Sequence, residues 1–213
     1  MKIICLLAPH LPVQVERRRD PVLDDQPLVV GGRPWDPGAV LDCCPEATAA
    51  GVRPGMRLSR AEALCPTARF LPADEAAYRA AHRALDQVPR QFTGRVETAG
   101  LGLLFADGSG LERAVDSDAR LARHVAREAE RASGLDVRVG LAGDRFTAEQ
   151  AARAAPAAGW CPVPPGQEQA FLSPLPLSTL PAEPEVLRRL HLLGVHTLGG
   201  LANLPRPAVV RQF

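Results

Sequence analysis

Between Val40 and Met56 the sequence reads VLDCCPEATAAGVRPGM, and SRAEALCP follows from Ser59 to Pro66. The apolar start of the first stretch predicts a short strand, and the proline and glycines behind it predict a turn. Ser59 and Glu62 form a capping box, which predicts the start of a small helix. We therefore expect a strand followed by short helices in this part of the chain.

Apolar runs on both sides of this stretch predict a mixed fold. Ile3 to Leu7 is a continuous apolar run typical of a buried central strand, and a helix is expected from about Val13 to Arg19. Further strands are expected at Pro27–Val30, Ala39–Leu41, Val96–Phe105 and Val137–Ala142, and helices at Asp74–Val88, Ser117–Arg131 and Ala148–Ala155, the last opened by Thr147 and Gln150. This order is typical of an interrupted ferredoxin-like α+β sheet.

The C-terminal part differs in composition. Prolines are dense from Pro156 to Pro184, so we expect a linker without regular elements there. Beyond it, helices are expected from Glu185 to Leu193 and from Thr197 to Asn203, joined by a tight glycine-containing turn. These two helices predict a small helical module.

Composition excludes several classes of protein. Lys and Arg total 25 against 24 for Asp and Glu, so the net charge of +1 indicates neither a nucleic-acid nor a membrane partner. The five cysteines contain no C-x-x-C pair and the histidines show no ligand spacing, which predicts reduced thiols and no zinc site. Without a signal segment or a long apolar run, we expect a soluble, cytoplasmic protein.

Five segments in register resemble the Y-family translesion DNA polymerases, of the DinB/UmuC type. They are the opening helix with Val15-Glu16, the fingers at Gly51–Met56 and Ala63–Pro66, the palm hairpin from Val96 to Asp107, the palm strand Val139–Ala142 and the thumb at Leu193–Ala202. The resemblance implies a ferredoxin-like palm with an inserted fingers subdomain and a helix-hairpin-helix thumb. It also implies boundaries at 1–11 for the first palm strand, 12–72 for the fingers, 73–160 for the palm, 161–180 for the linker and 181–213 for a thumb truncated before the little-finger domain.

The positions of the family's metal-binding carboxylates carry other residues in this chain. By the resemblance they fall on Leu7, Gly102 and Leu103, none of which offers an oxygen ligand from its side chain. This pattern is similar to the ImuB type, whose members serve in a mutagenic repair complex without synthesis. We therefore expect no catalytic residue, no metal and no cofactor, and a non-catalytic adaptor in translesion synthesis and induced mutagenesis.

One alternative stays open, an active low-fidelity Y-family DNA polymerase that uses atypical carboxylates and Mg²⁺. Glu97, Asp107 and Asp42 are the candidate carboxylates, although strand-end residues facing water are the plainer interpretation. A degenerate remnant without any DNA role is the third possibility.

The thumb is the expected place of DNA contact. A helix-hairpin-helix turn presents peptide N–H groups to a phosphate, and the residues expected to do so are Gly194, Val195, Thr197 and Gly199, with Arg206 nearby. A plain helix-turn-helix packing unit is the alternative. The basic run Arg17-Arg18-Arg19 is expected to be a solvated helix face, with phosphate contact as its alternative.

Partners follow only from the resemblance. It implies weak binding to the DNA backbone, a sliding clamp, an error-prone replicative-type polymerase and a RecA-like accessory protein. No membrane partner is expected.

Overall fold

The structure is a computed structural model that describes residues 2–111 and 117–207. In chain order its strands and helices are β1 (Ile3–Leu7), α1 (Leu11–Arg19), β2 (Leu28–Val30), β3 (Asp42–Cys43), α2 (Pro45–Ala49), α3 (Leu58–Leu64), β4 (Arg69–Leu71), α4 (Glu75–Arg90), β5 (Val96–Gly100), β6 (Leu103–Asp107), α5 (Asp118–Ser133), β7 (Arg138–Ala142), α6 (Arg145–Ala154), β8 (Trp160–Pro162), α7 (Glu168–Leu172), α8 (Pro184–Leu192) and α9 (Leu198–Ala202). Short 3₁₀ turns lie at Pro21–Asp25 and Leu177–Thr179. The predicted α+β class is confirmed.

The main sheet has the strand order β5-β6-β1-β7-β8. The central strand β1 runs antiparallel to both of its neighbours, and β8 pairs parallel to β7 at one edge. A second, three-stranded sheet of order β3-β2-β4 lies in the segment between β1 and α4. The chain therefore leaves the main sheet after its first strand and returns to it with β5.

Alternating side chains of β1 enter two different cores, as the two-residue period of a strand requires. Ile4 and Leu6 pack in the large cluster that includes Leu85 of α4 and Val125 of α5. Cys5 and Leu7 pack on the other face against the alanines of α6. Both faces of the central strand are thus covered, which explains its unbroken apolar sequence.

Three sequence expectations need correction. The residue pattern predicts a single strand over Val96–Phe105, but the segment is a hairpin of β5 and β6, as the resemblance implies, because Gly102 turns the chain with φ +78°. The strand expected at Ala39–Leu41 lies slightly later, at β3. The helix expected at Ala148–Ala155 is α6, and it begins earlier, at Arg145. Its N-cap is Asp144 rather than Thr147, because the Asp144 side chain accepts the Thr147 N–H at 2.9 Å.

The expectation of a proline-rich segment without regular elements is also wrong. β8 and α7 both lie within it, and β8 adds an edge strand to the main sheet. Edge strands tolerate proline because one side of the strand makes no ladder hydrogen bonds. The expected domain boundaries stay predictions. Position 1 of the expected first palm segment and positions 208–213 of the expected thumb lie outside the described residues.

Within the described ranges, no helix has both the length and the apolar character needed to span a bilayer.

Candidate functional site at the carboxyl end of β1

The three positions that correspond to the family's metal ligands meet at one end of β1. Leu7 pairs with Leu103 across the β1–β6 ladder, and Gly102 precedes Leu103 in the hairpin turn. Leu7 is buried against Cys5 and Phe105, and Leu103 packs on the same cluster. The structure therefore brings these residues together, and their side chains form an apolar surface.

Gly102 is held tightly in this turn. Its carbonyl accepts the Ala8 N–H at 2.8 Å, and its own N–H donates to Nδ1 of His82 at 3.1 Å. A Cβ at Gly102 would lie 2.7 Å from the Ala8 carbonyl oxygen, and the φ of +78° favours glycine. Burial lowers the pKa of His82, consistent with an unprotonated Nδ1 accepting the bond.

The alternative carboxylates do not join this cluster. Asp107 pairs with Ile3 at the opposite end of β1 and lies 3.3 Å from Nη1 of Arg95. Both oxygens of Glu97 accept from Nη1 of Arg145 at 2.8 Å. Asp42, by contrast, lies beside His10, three residues beyond Leu7 in the chain.

A cavity of about 330 Å³ opens at this end of β1, and we call it the His10 cavity. Its lining combines α1, the fingers and the start of β7, through Pro9, His10, Val13, Gln14, Arg17, Pro45, Asp136 and Arg138. Gln14 fixes two of these walls to each other, because it donates to the Asp136 carbonyl and accepts the Asp136 N–H at 2.7 Å. Arg138 lies here because it pairs with Leu7 in the sheet.

His10 joins the first palm strand to the fingers. Its backbone is left-handed, with φ 50° and ψ 46°, which is a strained conformation for a residue other than glycine. Its Nδ1 lies 2.9 Å from Oδ1 of Asp42, and this hydrogen bond raises the pKa of His10. A protonated His10 would therefore place positive charge at the cavity.

Two buried polar atoms beside the cavity lack hydrogen-bond partners among the described residues. They are Nε of Arg17 and Oδ2 of Asp42. Buried polar atoms are normally satisfied, so exceptions point to a missing water, ion or ligand. The cavity wall thus carries the guanidinium groups of Arg17 and Arg138, of which Arg138 is paired with Asp136 and Arg17 lies 3.5 Å from Glu46. Guanidinium groups can also bind an anionic ligand through charge-assisted hydrogen bonds.

Sequence reasoning missed this cavity. It assigned the Arg17-Arg18-Arg19 run to a solvated face, whereas Arg17 lines the cavity and Arg18 donates to the Ser133 carbonyl. The histidines were expected to be plain surface or core residues. Only the fold brings His10, Arg17 and Arg138 to one place, because they come from separate parts of the chain.

The thumb residues expected to contact DNA lie around the turn between α8 and α9. Their backbone N–H groups already have internal partners: Gly194 donates to the His191 carbonyl, Val195 to the Leu190 carbonyl and Gly199 to the Ser173 carbonyl. The Thr197 hydroxyl caps α9 by accepting the Gly200 N–H. Arg206 is exposed. Contact with DNA through this turn stays a prediction, and a phosphate would have to share or replace those internal bonds.

A pair of divalent cations does not fit the residues at Leu7, Gly102 and Leu103. Within 2–111 and 117–207, no group of three or more His, Cys, Asp or Glu side chains is arranged to hold a metal ion. Hydrocarbon side chains and a glycine supply no oxygen to Mg²⁺, which requires oxygen ligands. This end of β1 therefore offers no described metal ligand set.

Comparison with known proteins gives a consistent family. The model of the impB/mucB/samB family matches residues 8–153. The chain is 33% identical over 194 residues to DNA polymerase IV of Dehalococcoides mccartyi (strain CBDB1), covering 91% of this chain and 50% of that protein. It is 31% identical over 200 residues to DNA polymerase IV of Pseudomonas entomophila (strain L48), covering 93% and 56%. The chain thus spans about half the length of these relatives.

Solved structures show the same fold. DinB from Sulfolobus solfataricus superposes with a TM-score of 0.85 at 24% identity, over 99% of this chain and 62% of that one. The insertion ternary complex of Dbh DNA polymerase superposes with a TM-score of 0.79 at 25% identity, over 99% and 63%. The expected palm-and-fingers fold is confirmed by these likenesses.

These relatives correct two expectations. They carry the name DNA polymerase IV, which is the name of an enzyme. The inference of a catalytically inactive homologue and the inference of no cofactor are both contradicted, and neither is retained. On the match of the family model and the coverage of the relatives, this chain belongs to the impB/mucB/samB family of Y-family DNA polymerases.

Proposed function

We propose that the protein acts on primer-template DNA as a low-fidelity Y-family DNA polymerase in translesion synthesis, the alternative left open by the sequence. The observation that carries this proposal is the 194-residue alignment with DNA polymerase IV, which covers 91% of the chain. The chain would supply the palm, the fingers and the start of the thumb.

The His10 cavity is the proposed place for the phosphates of an incoming nucleotide. Arg17 and Arg138 present guanidinium groups, which match phosphate oxygens in geometry and charge. His10 adds positive charge when it is protonated. The unpartnered Nε of Arg17 supports a ligand here, because a bound oxygen would satisfy it.

The side chains at Leu7, Gly102 and Leu103 supply no oxygen ligand to a metal ion. The positions of the family's ligands lie in an apolar surface, so the chain's own contribution to catalysis is restricted here to binding and orienting the nucleotide. Asp42 is the candidate carboxylate that lies beside the His10 cavity.

Primer extension tests the proposal. The protein, with a primer-template and Mg²⁺ or Mn²⁺, is expected to add template-directed nucleotides. Arg138→Ala is expected to raise the KM for the nucleotide about 10- to 150-fold, since a hydrogen bond to a charged group contributes about 1.5–3 kcal/mol. Arg79→Ala is the control, because Arg79 is an exposed arginine that pairs with Glu75 in α4 and does not line the cavity, and it should leave KM unchanged. Absence of template-directed addition with either metal would contradict the proposal.

The remaining predictions concern biological context. A role in induced mutagenesis, DNA contact by the thumb and binding to a sliding clamp, a replicative-type polymerase and a RecA-like protein follow from the resemblance. A salt titration of duplex binding checks the thumb: Arg206→Ala should reduce the salt slope by about 1 if Arg206 contacts a phosphate.

A further inference from the structure

The loop between β2 and β3 carries an exposed tryptophan that the proposed function does not use. Trp35 is 74% exposed, at the centre of the sequence Gly31-Gly32-Arg33-Pro34-Trp35-Asp36-Pro37-Gly38. The Arg33 guanidinium carbon lies 5.8 Å from the centroid of the Trp35 ring. An indole in this position contributes almost no buried apolar area, so folding does not explain it.

The loop holds this indole in a defined place. The N–H groups of Gly31 and Gly32 donate to the Leu71 carbonyl at 2.9 and 3.0 Å, which fixes the start of the loop. At its tip, the Arg33 N–H donates to Oδ2 of Asp36 at 2.7 Å and the Asp36 N–H donates to the Arg33 carbonyl at 2.9 Å. Prolines on both sides of Trp35 restrict the backbone further. The aromatic ring is thus presented by an ordered turn, which lowers the entropy lost when a ligand stacks on it.

The loop holds one arginine and one aspartate, Arg33 and Asp36, and further arginines follow in the neighbouring segment. Arg57 bridges to Ala39 at the end of the loop, and Arg60 follows in α3. In the described part of the chain, Arg33, Arg57 and Arg60 are exposed and form no ion pair with a carboxylate. The surface therefore combines one aromatic face with the guanidinium groups of Arg33 and Arg57, while the Asp36 carboxylate accepts the Arg33 backbone N–H.

This combination fits an unpaired nucleobase better than a protein partner. Aromatic hot spots in protein interfaces lie within desolvated patches that neighbouring contacts close off from water. The residues next to Trp35 are instead prolines, a glycine and charged side chains. Proteins that bind single-stranded nucleic acids commonly combine an aromatic ring with arginines. A base stacks on the ring, and the adjacent phosphates bind the guanidinium groups.

We propose that Trp35 is a stacking platform for an unpaired base of single-stranded template, with Arg33 and Arg57 binding the adjacent phosphates. This inference rests on the proposed function, because it presumes that the protein holds a primer-template. It adds a specific contact to the single-stranded part of that DNA.

Fluorescence anisotropy with labelled DNA tests the platform. Wild-type protein and Trp35→Ala are titrated with a primer-template that has a single-stranded overhang and with the same duplex without it. Trp35→Ala should weaken binding to the overhang DNA by about 5- to 150-fold, which corresponds to about 1–3 kcal/mol for one stacked base. It should leave binding to the blunt duplex unchanged. Trp35→Phe should retain most of the affinity, and Val22→Ala, which truncates another exposed apolar side chain, should have no effect.

Salt dependence separates stacking from charge. Trp35→Ala should not change the slope of log affinity against log salt, whereas Arg57→Ala should lower it by about 1. Equal affinity of wild type and Trp35→Ala for the overhang DNA would overturn the platform while leaving the proposed function intact. Failure of the wild type to bind either DNA would instead count against the proposed function, and the platform would fall with it.

Discussion

At the scale of single residues, Gly102 shows how one position can fix a local structure. Only its left-handed backbone allows β5 to turn into β6 while the Ala8 N–H reaches its carbonyl. Sequence reasoning recognised Gly102 as the counterpart of a metal ligand. The resemblance implied a hairpin over this segment, but the residue pattern did not place its turn at Gly102, because a glycine within an apolar run also suits a weakened strand.

Substitution of Gly102 tests this account of the turn. Gly102→Ala is expected to lower the free energy of unfolding by about 1–3 kcal/mol, because a non-glycine residue is strained there and its Cβ meets the Ala8 carbonyl. Urea denaturation measures the change. Gly100→Ala in the same hairpin is the control, since a Cβ at Gly100 has no heavy atom within 4 Å, and equal effects of both substitutions would contradict this explanation.

His10 predicts a pH dependence of stability. The bond to Asp42 raises the pKa of His10 above its ordinary value of 6.5, so the ion pair stabilises the folded state fully below that value. The stabilisation is lost as pH rises through the raised pKa. Because His10 is partly exposed, His10→Gln should cost less than about 1 kcal/mol at low pH and almost nothing at high pH. Urea unfolding across pH measures this, and a cost independent of pH would be inconsistent with the pair.

His82 predicts the opposite slope. Burial lowers its pKa, so its neutral form, which accepts the Gly102 N–H, is favoured in the folded state. This contribution is present above the ordinary pKa of 6.5 and is lost as pH falls through the lowered pKa. An NMR titration of the His82 ring should therefore give a pKa below that of His10, and the reverse order would contradict both assignments.

At the scale of elements, the contact between β7 and α6 depends on a glycine. A Cβ at Gly140 would lie 1.9 Å from the Ala148 carbonyl oxygen and 2.4 Å from the Ala152 nitrogen. The helix backbone therefore packs directly on the strand, with small alanines on its inner face. The alanine-rich sequence of α6 is explained by this close approach.

Gly140→Ala should consequently be among the most damaging single-methyl changes in the chain. Overpacking a core commonly lowers the free energy of unfolding by about 1–3 kcal/mol. Because the added methyl group would clash with helix backbone, we expect a loss at or above the top of that range. The fall in thermal unfolding temperature measures it. Gly94→Ala, with open space around its Cβ, is the matched control and should change the temperature little.

The elements differ in how well the sequence predicted them. α4 and α5 were predicted nearly to their ends, because each carries an apolar face of helical period and a cap, Asp74 or Ser117. β8 was not predicted, because its tryptophan-cysteine-proline sequence has no strand period and its pairing with β7 is long-range. Three-residue strands of this kind are specified by their neighbours rather than by their own residues.

At the scale of the whole molecule, the order of the segments was predictable and the cavity was not. Motifs in register along the chain indicated the palm, the fingers and the family, which the comparisons confirm. His10, Arg17 and Arg138 carry no shared motif, and they meet only because α1 crosses the end of β1 where β7 begins. The predicted inactivity is contradicted by the relatives named DNA polymerase IV, whose likeness extends over 91% of this chain.

The central claim is that the His10 cavity receives the phosphates of an incoming nucleotide. A crystal structure of the protein with a primer-template and a non-hydrolysable deoxynucleoside triphosphate tests it most directly. Phosphate oxygens are expected within hydrogen-bond distance of the guanidinium groups of Arg17 and Arg138, with one of them accepting from the Arg17 Nε–H. A triphosphate bound elsewhere, with the cavity unchanged, would contradict the account.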